Sequence, residues 1–487
     1  MTSAEELAFK PAAEVLELYR RRELAPSEYL QALFVRIDDD ANHSEPINGF
    51  SELLREEALA EAKQADEAFA TGQLRGDQPL LGLPVAVKEK HAIAGRTFTQ
   101  GMRAHANHVA TADHPIVRRI RSAGALIHGR TTSSEFSCAT FTHTSLWGVT
   151  RNPWDRQLTP GGSSGGAGAV LAAGFAPLAT ASDIAGSTRI PAGFTGTVGY
   201  KGPYGTVPGA GPLAADWYRG DGAMARTVED TALLTNVIRG VDPGDHGSVP
   251  SAAAHPQARS QAVESLAGRR LVYAPTLGDY PVQRKVRAQV DAAVERFEAA
   301  GATVEIVELP WTTAHIRETT MAHFGHILAE GMRRALAGYE ETAEDYTRRF
   351  IEVATQYSRR ISLFETLEAE QQIQADVLDA IGDADALISP VSAIRGLQAD
   401  GRYLEGITVD DQPDGGTVVL EHYWEAHMTV PFNVANRCPV LAVPAGMDDG
   451  FPIGMQIVGR PFDESTVFEI AQAWQEISPL PTLTDLS

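Results

Sequence analysis

The stretch GGSSGGAGAVLAAGFAPLATAS, residues 161–182, most constrains how this chain can fold. It is built almost entirely from Gly, Ala and Ser, it carries no charge, and it is too weakly apolar to prefer lipid. Small uncharged side chains allow neighbouring elements to pack closely in a protein interior. We therefore expect this segment to be buried, with the rest of the chain folded around it.

The glycine-rich start of this stretch has three interpretations. A flexible linker would have polar flanks, whereas a dense run of small residues follows here. A phosphate-binding loop would end in Gly-Lys-Ser/Thr, which is missing. Gly161–Gly165 satisfies the G-x-S-x-G pattern of a serine-hydrolase turn, but the preceding RNPWDRQLTP is polar, contains two prolines and cannot form the central strand that such a turn needs. We predict that Ser163 takes part in catalysis without being a nucleophile of that type.

A second serine-bearing turn, ASDIAGSTRIPAG, follows closely. Ala185 and Gly186 precede Ser187, and small side chains let successive backbone N–H groups converge on one point, as an oxyanion hole requires. Lys88, one of six lysines, ends the apolar run LPVAV, where burial would make it a base for a serine. Glu89, the next residue, would point to the face of the strand opposite to Lys88. Taken singly, each of these residues also has a purely structural interpretation. Ser163 and Ser187 would be ordinary turn residues, and Lys88 would be a lysine at a strand end whose amine reaches solvent.

Short apolar strands alternate with helical spacing along the chain. This pattern predicts an α/β fold with a large mixed, mainly parallel β-sheet covered by helices on both faces. Residues 1–70 are predicted to form an N-terminal helical arm and residues 71–487 the main domain. A helical and loop insertion is predicted at about 311–430, over the sheet edge or the functional site.

Charge and cysteine content narrow the partners and the compartment. The formal net charge is −22 and the pI is near 5.1, which favours a small neutral or cationic ligand and disfavours nucleic acid and anionic membranes. Cys138 and Cys438 are the only cysteines, and the first residues lack the features of a secretory signal. We expect a cytoplasmic protein, and a homodimer is compatible with these features.

The segments GGSSGG, SDIAGSTRIP and the upstream VAVKEK resemble the amidase signature family of Ser-Ser-Lys hydrolases. Further segments, including NVANRCPVLAVPAG and GFPIGMQIVGRPFDESTVFEIAQAWQ, follow in the family's order. The resemblance extends from about Ile47 to the C-terminus and is weakest at about 311–430. It implies Ser187 as the nucleophile, Ser163 as a bridging serine on a cis peptide and Lys88 as the base. The implied oxyanion hole is formed by the backbone N–H groups of Ile184, Ala185, Gly186 and Ser187.

The resemblance also implies an activity. The chain would hydrolyse a C–N bond of a small neutral amide or carbamate (urethane) through an acyl-enzyme, without a metal or organic cofactor. It departs from the family where Glu89 stands for the usual Asp and Ala185 for a frequent Gly. Phe324, Tyr423 and Trp424, in the less familiar insertion, are predicted to bind substrate.

Other classes stay open at this point. The alternative within the family is the amidase-like component of a tRNA-dependent amidotransferase complex, its A subunit. A metal-dependent hydrolase would use His105 with His108, or His323 with His326, although no H-x-H or H-E-x-x-H motif occurs. Cys138 as a nucleophile has no histidine partner evident in the sequence, and a small buried thiol is the simpler interpretation.

Overall fold

An eleven-stranded sheet runs through the protein, in the spatial order β1-β3-β2-β6-β8-β7-β14-β15-β11-β9-β10. The computed structural model describes residues 4–250, 266–479 and 481–483. The strands are β1 Phe50–Leu53, β2 Pro84–Lys88, β3 Leu126–Thr131, β4 His143–Thr144, β5 Gly148–Val149, β6 Leu178–Asp183, β7 Val198–Lys201, β8 Gly220–Ala225, β9 Arg270–Tyr273, β10 Thr303–Ile306, β11 Ala386–Pro390, β12 Ile407–Val409, β13 Val418–Leu420, β14 Val440–Asp448 and β15 Phe451–Gly459. Two small sheets pair β4 with β5 and β12 with β13.

Helices connect the strands along the chain. The α-helices are α1 Ala4–Ala8, α2 Ala12–Arg21, α3 Pro26–Ala41, α4 Arg55–Thr71, α5 Pro115–Ser122, α6 Gly165–Ala172, α7 Arg189–Thr195, α8 Val228–Ile238, α9 Arg284–Ala299, α10 Thr313–His326, α11 Leu328–Leu336, α12 Asp345–Arg360, α13 Leu363–Ile381, α14 Pro431–Val434 and α15 Glu464–Ile477. Short 3₁₀ turns lie at Arg103–His105, Glu135–Ser137, Pro212–Ala215, Glu340–Thr342 and Tyr423–Ala426. None of the helices in the described ranges combines the length and the apolar character needed to cross a bilayer.

The large mixed sheet predicted from the sequence is confirmed, but parallel pairs do not dominate it. They lie on the two flanks, where β2 pairs with β3 and β6, and β9 pairs with β10 and β11. The central strands from β6 to β11 and the edge pair β1–β3 are antiparallel. A short connection between strands explains one of these antiparallel pairs. A tight turn joins β14 and β15, and such a turn can only join antiparallel strands, because a parallel pair needs a longer crossover.

Helices cover both faces of the sheet, as predicted. Alternate residues of β2 belong to different hydrophobic clusters. Val85 and Val87 pack with residues of α5 and α8, whereas Ala86 packs with residues of α6 and α7. Lys88 lies two residues beyond Ala86 and therefore points to the face that carries α6.

Two predicted boundaries need correction. The N-terminal arm is not wholly helical, because β1 pairs with β3 through Phe50 and Thr131 and forms an edge strand of the main sheet. The region at about 311–430 is not one insertion, since β11 lies inside it and pairs with β9 and β15. β11 is buried along its whole length, so this part of the region belongs to the core of the sheet.

Candidate active site

The predicted site residues converge at one edge of the sheet. Lys88 ends β2 and Asp183 ends β6, and these strands are parallel neighbours in the register Ala86 with Ala179. The carboxyl ends of parallel strands meet at the same edge, which is where ligands bind in open α/β sheets. The loop that carries Ser187 follows β6 directly, and Ser163 lies two residues before Gly165, the first residue of α6.

Lys88 lies in a shell of serine hydroxyl groups. Its side chain is fully buried, and Nζ is 2.8 Å from Ser163 Oγ, 2.9 Å from Ser164 Oγ and 2.9 Å from Ser182 Oγ. No carboxylate among the described residues forms an ion pair with it. Burial, reinforced by the positive charge of Lys90, lowers the pKa of Lys88 well below its ordinary value. A neutral amine at this position can accept a proton from a neighbouring hydroxyl group.

Glu89 turns away from this lysine, as its place in the strand predicts. Its carboxylate accepts hydrogen bonds from the N–H groups of Thr99 at 2.6 Å and Gln100 at 3.0 Å. Arg130 lies 3.4 Å from the same carboxylate. The charge of Glu89 is therefore balanced by its own partners and does not hold a proton on Lys88.

The two serine turns are joined through their backbones. The peptide bond between Gly162 and Ser163 is cis, and the N–H of Ser164 donates to the carbonyl oxygen of Ser187 at 3.1 Å. A side chain at Gly162 would place Cβ 2.4 Å from the carbonyl oxygen of Phe141, so this position needs glycine. Ser163 is fully buried, whereas Ser187 keeps 6% of its surface exposed.

Asp183 holds the loop of Ser187 in shape, a role that the sequence reasoning missed. Its carboxylate accepts from the N–H of Gly186 at 2.7 Å and from that of Thr188 at 3.2 Å. Arg189 donates to it through Nε and Nη2, both at 3.0 Å, and Asn433 through Nδ2 at 2.8 Å. Burial alone would raise the pKa of Asp183, but the charge of Arg189 and these hydrogen bonds outweigh it and lower the pKa to about 2.

This contact corrects one predicted member of the oxyanion hole. The N–H of Gly186 points to Asp183 and is not available to a substrate oxygen. The N–H groups of Ile184, Ala185 and Ser187 find no acceptor within the part of the chain that the structure describes. The candidate donors are therefore three amides, two of which belong to the partly exposed residues Ile184 and Ala185.

Replacing Asp183 by asparagine is expected to lower the free energy of unfolding by about 3–5 kcal/mol, because Arg189 would lose its buried charge partner. The wild-type contribution is present above the ordinary carboxyl pKa of 3.8 and is lost as the pH falls toward about 2. Urea unfolding at neutral and acid pH measures both effects. Asp38→Asn, which breaks a surface pair with Arg55, is the control and should cost less than about 1 kcal/mol. Equal stability of the two variants at neutral pH would contradict the assignment.

A small cavity of about 30 Å³ lies beside Ala185. One face of α10 forms much of its wall, with side chains at the spacing of successive helical turns. Phe324 and Trp424, two of the three predicted substrate-binding residues, line it. Its lining consists of Ala185, Tyr280, Thr313, Ile316, Arg317, Thr320, Met321, Phe324, Trp424, Glu425 and Val430.

Tyr423, the third of these residues, does not line this cavity. Its ring packs against Phe141 and Tyr403, with centroids 5.0 and 6.1 Å away, and it borders a separate cavity. Tyr423 and Trp424 are adjacent in a 3₁₀ turn, so their side chains point in different directions. The sequence could not distinguish which of two neighbouring aromatic residues faces the site.

The histidine pairs considered for a metal do not form a ligand set. Among the described residues, no third potential ligand completes a cluster with His105 and His108. Both ring nitrogens of His323 lie within hydrogen-bonding distance of buried carboxylates, at 2.8 and 2.9 Å, and Nε2 of His326 lies 2.9 Å from the carbonyl oxygen of Ile361. These rings serve the packing of the helices.

A different group brings potential ligand atoms of His91, His114 and Asp221 within 4.8 Å of one another. However, the N–H of Ile116 donates to Nδ1 of His114 at 3.3 Å, so in the neutral ring the proton is on Nε2, the atom that a metal would need. Arg219 also donates to the carboxylate of Asp221 at 2.5 Å. The group is better described as a charge network than as a metal site.

Cys138 does not have the surroundings of a nucleophile. Burial raises the pKa of its thiol, and its sulfur lies 3.7 Å from the hydroxyl group of Thr347. A reactive cysteine needs the opposite shift.

Known proteins share both the sequence and the fold. A model of the amidase family matches residues 28–468. The A subunit of the glutamyl-tRNA(Gln) amidotransferase from Carboxydothermus hydrogenoformans is 31% identical over 497 residues, covering 97% of this chain and 98% of that protein. A bacterial aryl acylamidase of the amidase signature family superposes with a TM-score of 0.84 at 24% identity, covering 97% of this chain and 96% of that one. For 6-aminohexanoate cyclic dimer hydrolase the TM-score is 0.80 at 25% identity, with 97% of each chain covered. A buried lysine among serines at a sheet edge and a family match over most of its length together show that this chain belongs to the amidase signature family of enzymes acting on carbon–nitrogen bonds.

Proposed function

We propose that this protein hydrolyses a small amide or carbamate (urethane) whose acyl part is largely apolar. The observation that carries the proposal is the 2.8 Å contact between buried Lys88 and Ser163. The turn that carries Ser187 also contains Ala185, which lines an apolar cavity. The cavity wall is mostly aliphatic and aromatic, which suits an apolar substrate group.

The proposed chemistry is acyl transfer in two steps. Ser187 Oγ attacks the carbonyl carbon while its proton passes to Ser163, and the proton of Ser163 passes to neutral Lys88. The C–N bond then breaks, and the leaving nitrogen takes a proton from Ser163, which Lys88 replaces. In the second step water attacks the acyl-enzyme at Ser187, which is an ester from an amide or a carbonate from a carbamate. The same relay takes the proton of the water and returns one to Ser187, releasing the carboxylic acid or the carbonic acid monoester. No metal or organic cofactor is required for these steps.

Charge on the carbonyl oxygen would be stabilised by the amides of Ile184, Ala185 and Ser187. Each donor of this kind contributes about 2.7–4 kcal/mol to transition-state stabilisation. Asp183 supports them indirectly, since it fixes the loop through Gly186 and Thr188. The loop needs no rearrangement to present these amides, which is the preorganisation that such catalysis depends on.

A substrate panel tests the proposal. The purified chain is assayed with anilides, primary amides and aryl carbamates that share one apolar acyl group. We expect cleavage of at least one class by the chain alone, with an acyl-enzyme at Ser187 visible by mass spectrometry. Hydrolysis that needs added metal, or that leaves Ser187 unmodified, would contradict the proposal.

The second candidate is the amidase-like component of a tRNA-dependent amidotransferase complex. It is favoured by the 31% identity that this chain shares with such a component over nearly its whole length. A component of this kind would act on an amide donor within a complex, so the pure chain would show little activity on the panel. Hydrolysis of glutamine, with the anilides left intact, would favour this candidate.

Substitutions around the cavity should reorder the substrates. Phe324→Leu and Trp424→Leu are expected to change the kcat/KM ratio between amide and carbamate substrates by about tenfold, the usual effect of altering an apolar pocket. Tyr423→Leu, at the neighbouring position outside the cavity, is the control and should leave the ratio within about twofold. Melting temperatures of all three variants identify effects on packing. A ratio unchanged in both cavity variants would show that Phe324 and Trp424 serve only the core.

A further inference from the structure

One buried carboxylate lines the apolar cavity, and one of its oxygen atoms has no hydrogen-bond partner among the described residues. Glu425 is 9% exposed, and its Oε2 accepts from Nη1 of Arg317 at 3.3 Å. Its Oε1 is buried and receives no hydrogen bond from any residue in the described ranges. Leaving a buried acceptor without a hydrogen bond is energetically unfavourable. Glu425 borders the cavity, so a hydrogen-bond donor on a bound ligand is a candidate partner for this atom.

The local charge shows which kind of partner fits. Arg317 also lies 3.3 Å from the carboxylate of Glu421, so one guanidinium faces two carboxylates. The group therefore carries an excess negative charge. Burial raises the pKa of Glu425, and the positive charge of Arg317 opposes this shift. A cation would complete the group, whereas an anion would meet two carboxylates for one arginine.

The position of Glu425 relates this charge to the reaction. Ala185, a candidate oxyanion donor, and Glu425 line the same cavity. The same lining includes apolar side chains of α10, among them Ile316, Met321 and Phe324. A substrate with its carbonyl group at Ala185 would extend along this apolar wall toward the carboxylate.

We propose that the substrate carries a protonated amine at the end of its apolar acyl group, and that Glu425 Oε1 accepts a hydrogen bond from this ammonium. The inference rests on the proposed hydrolase function and narrows its substrate class to amides or carbamates of amino-terminated acyl groups. Arg317 is then a positioning residue that holds Oε2 and leaves Oε1 for the ligand.

A matched substrate pair tests this assignment. An ω-aminoacyl nitroanilide is compared with the alkanoyl nitroanilide of equal length, in which a methyl group replaces the ammonium. We expect the wild-type kcat/KM to be at least about tenfold higher for the amino substrate, and Glu425→Gln to reduce that value by about 10- to 100-fold, the range of a hydrogen bond to a charged group. Glu318→Gln, which alters an exposed carboxylate on α10, should keep the preference. Wild-type preference for the alkanoyl substrate, or an equal loss for both substrates in Glu425→Gln, would overturn the inference.

Binding without turnover separates this inference from the proposed function. Titration calorimetry with the wild-type chain compares an alkylammonium ion with the alcohol of the same length. If neither anilide is hydrolysed, the proposed function fails, and the calorimetry still decides on the cation site. Tighter binding of the ammonium that Glu425→Gln abolishes would support it, and equal binding of the two ligands would overturn it. The melting temperature of Glu425→Gln establishes that the variant is folded.

Discussion

Replacing Ser187 by alanine is expected to remove nearly all turnover, with a loss of about 10⁴-fold or more, as for nucleophilic serines that act within a unit. Ser187 is buried but keeps 6% of its surface exposed, whereas Ser163 and Ser164 are fully buried against Lys88. A fluorophosphonate that labels activated serines should react with the wild-type protein and not with this variant. The fold should remain, since the side chain lost is one hydroxyl group on a loop held by Asp183.

The control for this experiment is another serine in a turn. Ser145 is exposed, and alanine in its place should leave both turnover and labelling unchanged. Ser163→Ala should lower the rate as well, because it interrupts the proposed route of the proton to Lys88. Normal labelling of Ser187→Ala would exclude this residue as the nucleophile.

The sequence indicated the proposed reacting groups more clearly than the residues that hold them in place. Lys88, Ser163 and Ser187 lie in short segments where residue type and neighbours restrict what a side chain can do. Asp183 was not singled out, because its role depends on contacts with Arg189 and Asn433, and Asn433 is 250 positions away. The prediction that Gly186 belongs to the oxyanion hole was wrong for the same reason, since only the folded loop shows which backbone amides donate to Asp183.

The architecture of the fold could be predicted from the sequence, whereas the directions of its strands could not. Alternating strands and helices identified the layered α/β architecture, because burial on both faces gives recognisable apolar runs. Strand direction was less accessible: β6 pairs with β8 in the antiparallel sense although a strand and a helix intervene. The edge strand β1 was hidden between helices, since its four residues are all half-buried and carry no strong pattern.

Lys88 is expected to set the pH dependence of catalysis, and Lys88→Met to remove most of the rate. The lysine acts as a base only when neutral, so kcat/KM should rise as the pH increases through its pKa. Burial, helped by the charge of Lys90, lowers that pKa well below the ordinary value of 10.5. We expect the acid limb to lie well below pH 10.5, measured with a substrate for which the chemical step limits the rate. An acid limb that Lys90→Met leaves in place would count against Lys88 as the base.

Lys90 provides the matched control for this interpretation. Lys90→Met removes a neighbouring positive charge, which should raise the pKa of Lys88 and move the acid limb to higher pH while catalysis persists.

The pH dependence of the free energy of unfolding measures the pKa of Lys88 independently of activity. Because the pKa of Lys88 is depressed in the folded state, the unfolded chain binds more protons up to the ordinary value of 10.5, and wild-type stability rises with pH over that range by up to about 1.4 kcal/mol per pH unit. Lys88→Met should flatten this slope, whereas a lysine that remained protonated in the fold would leave the slope unchanged and its loss of activity would need another cause.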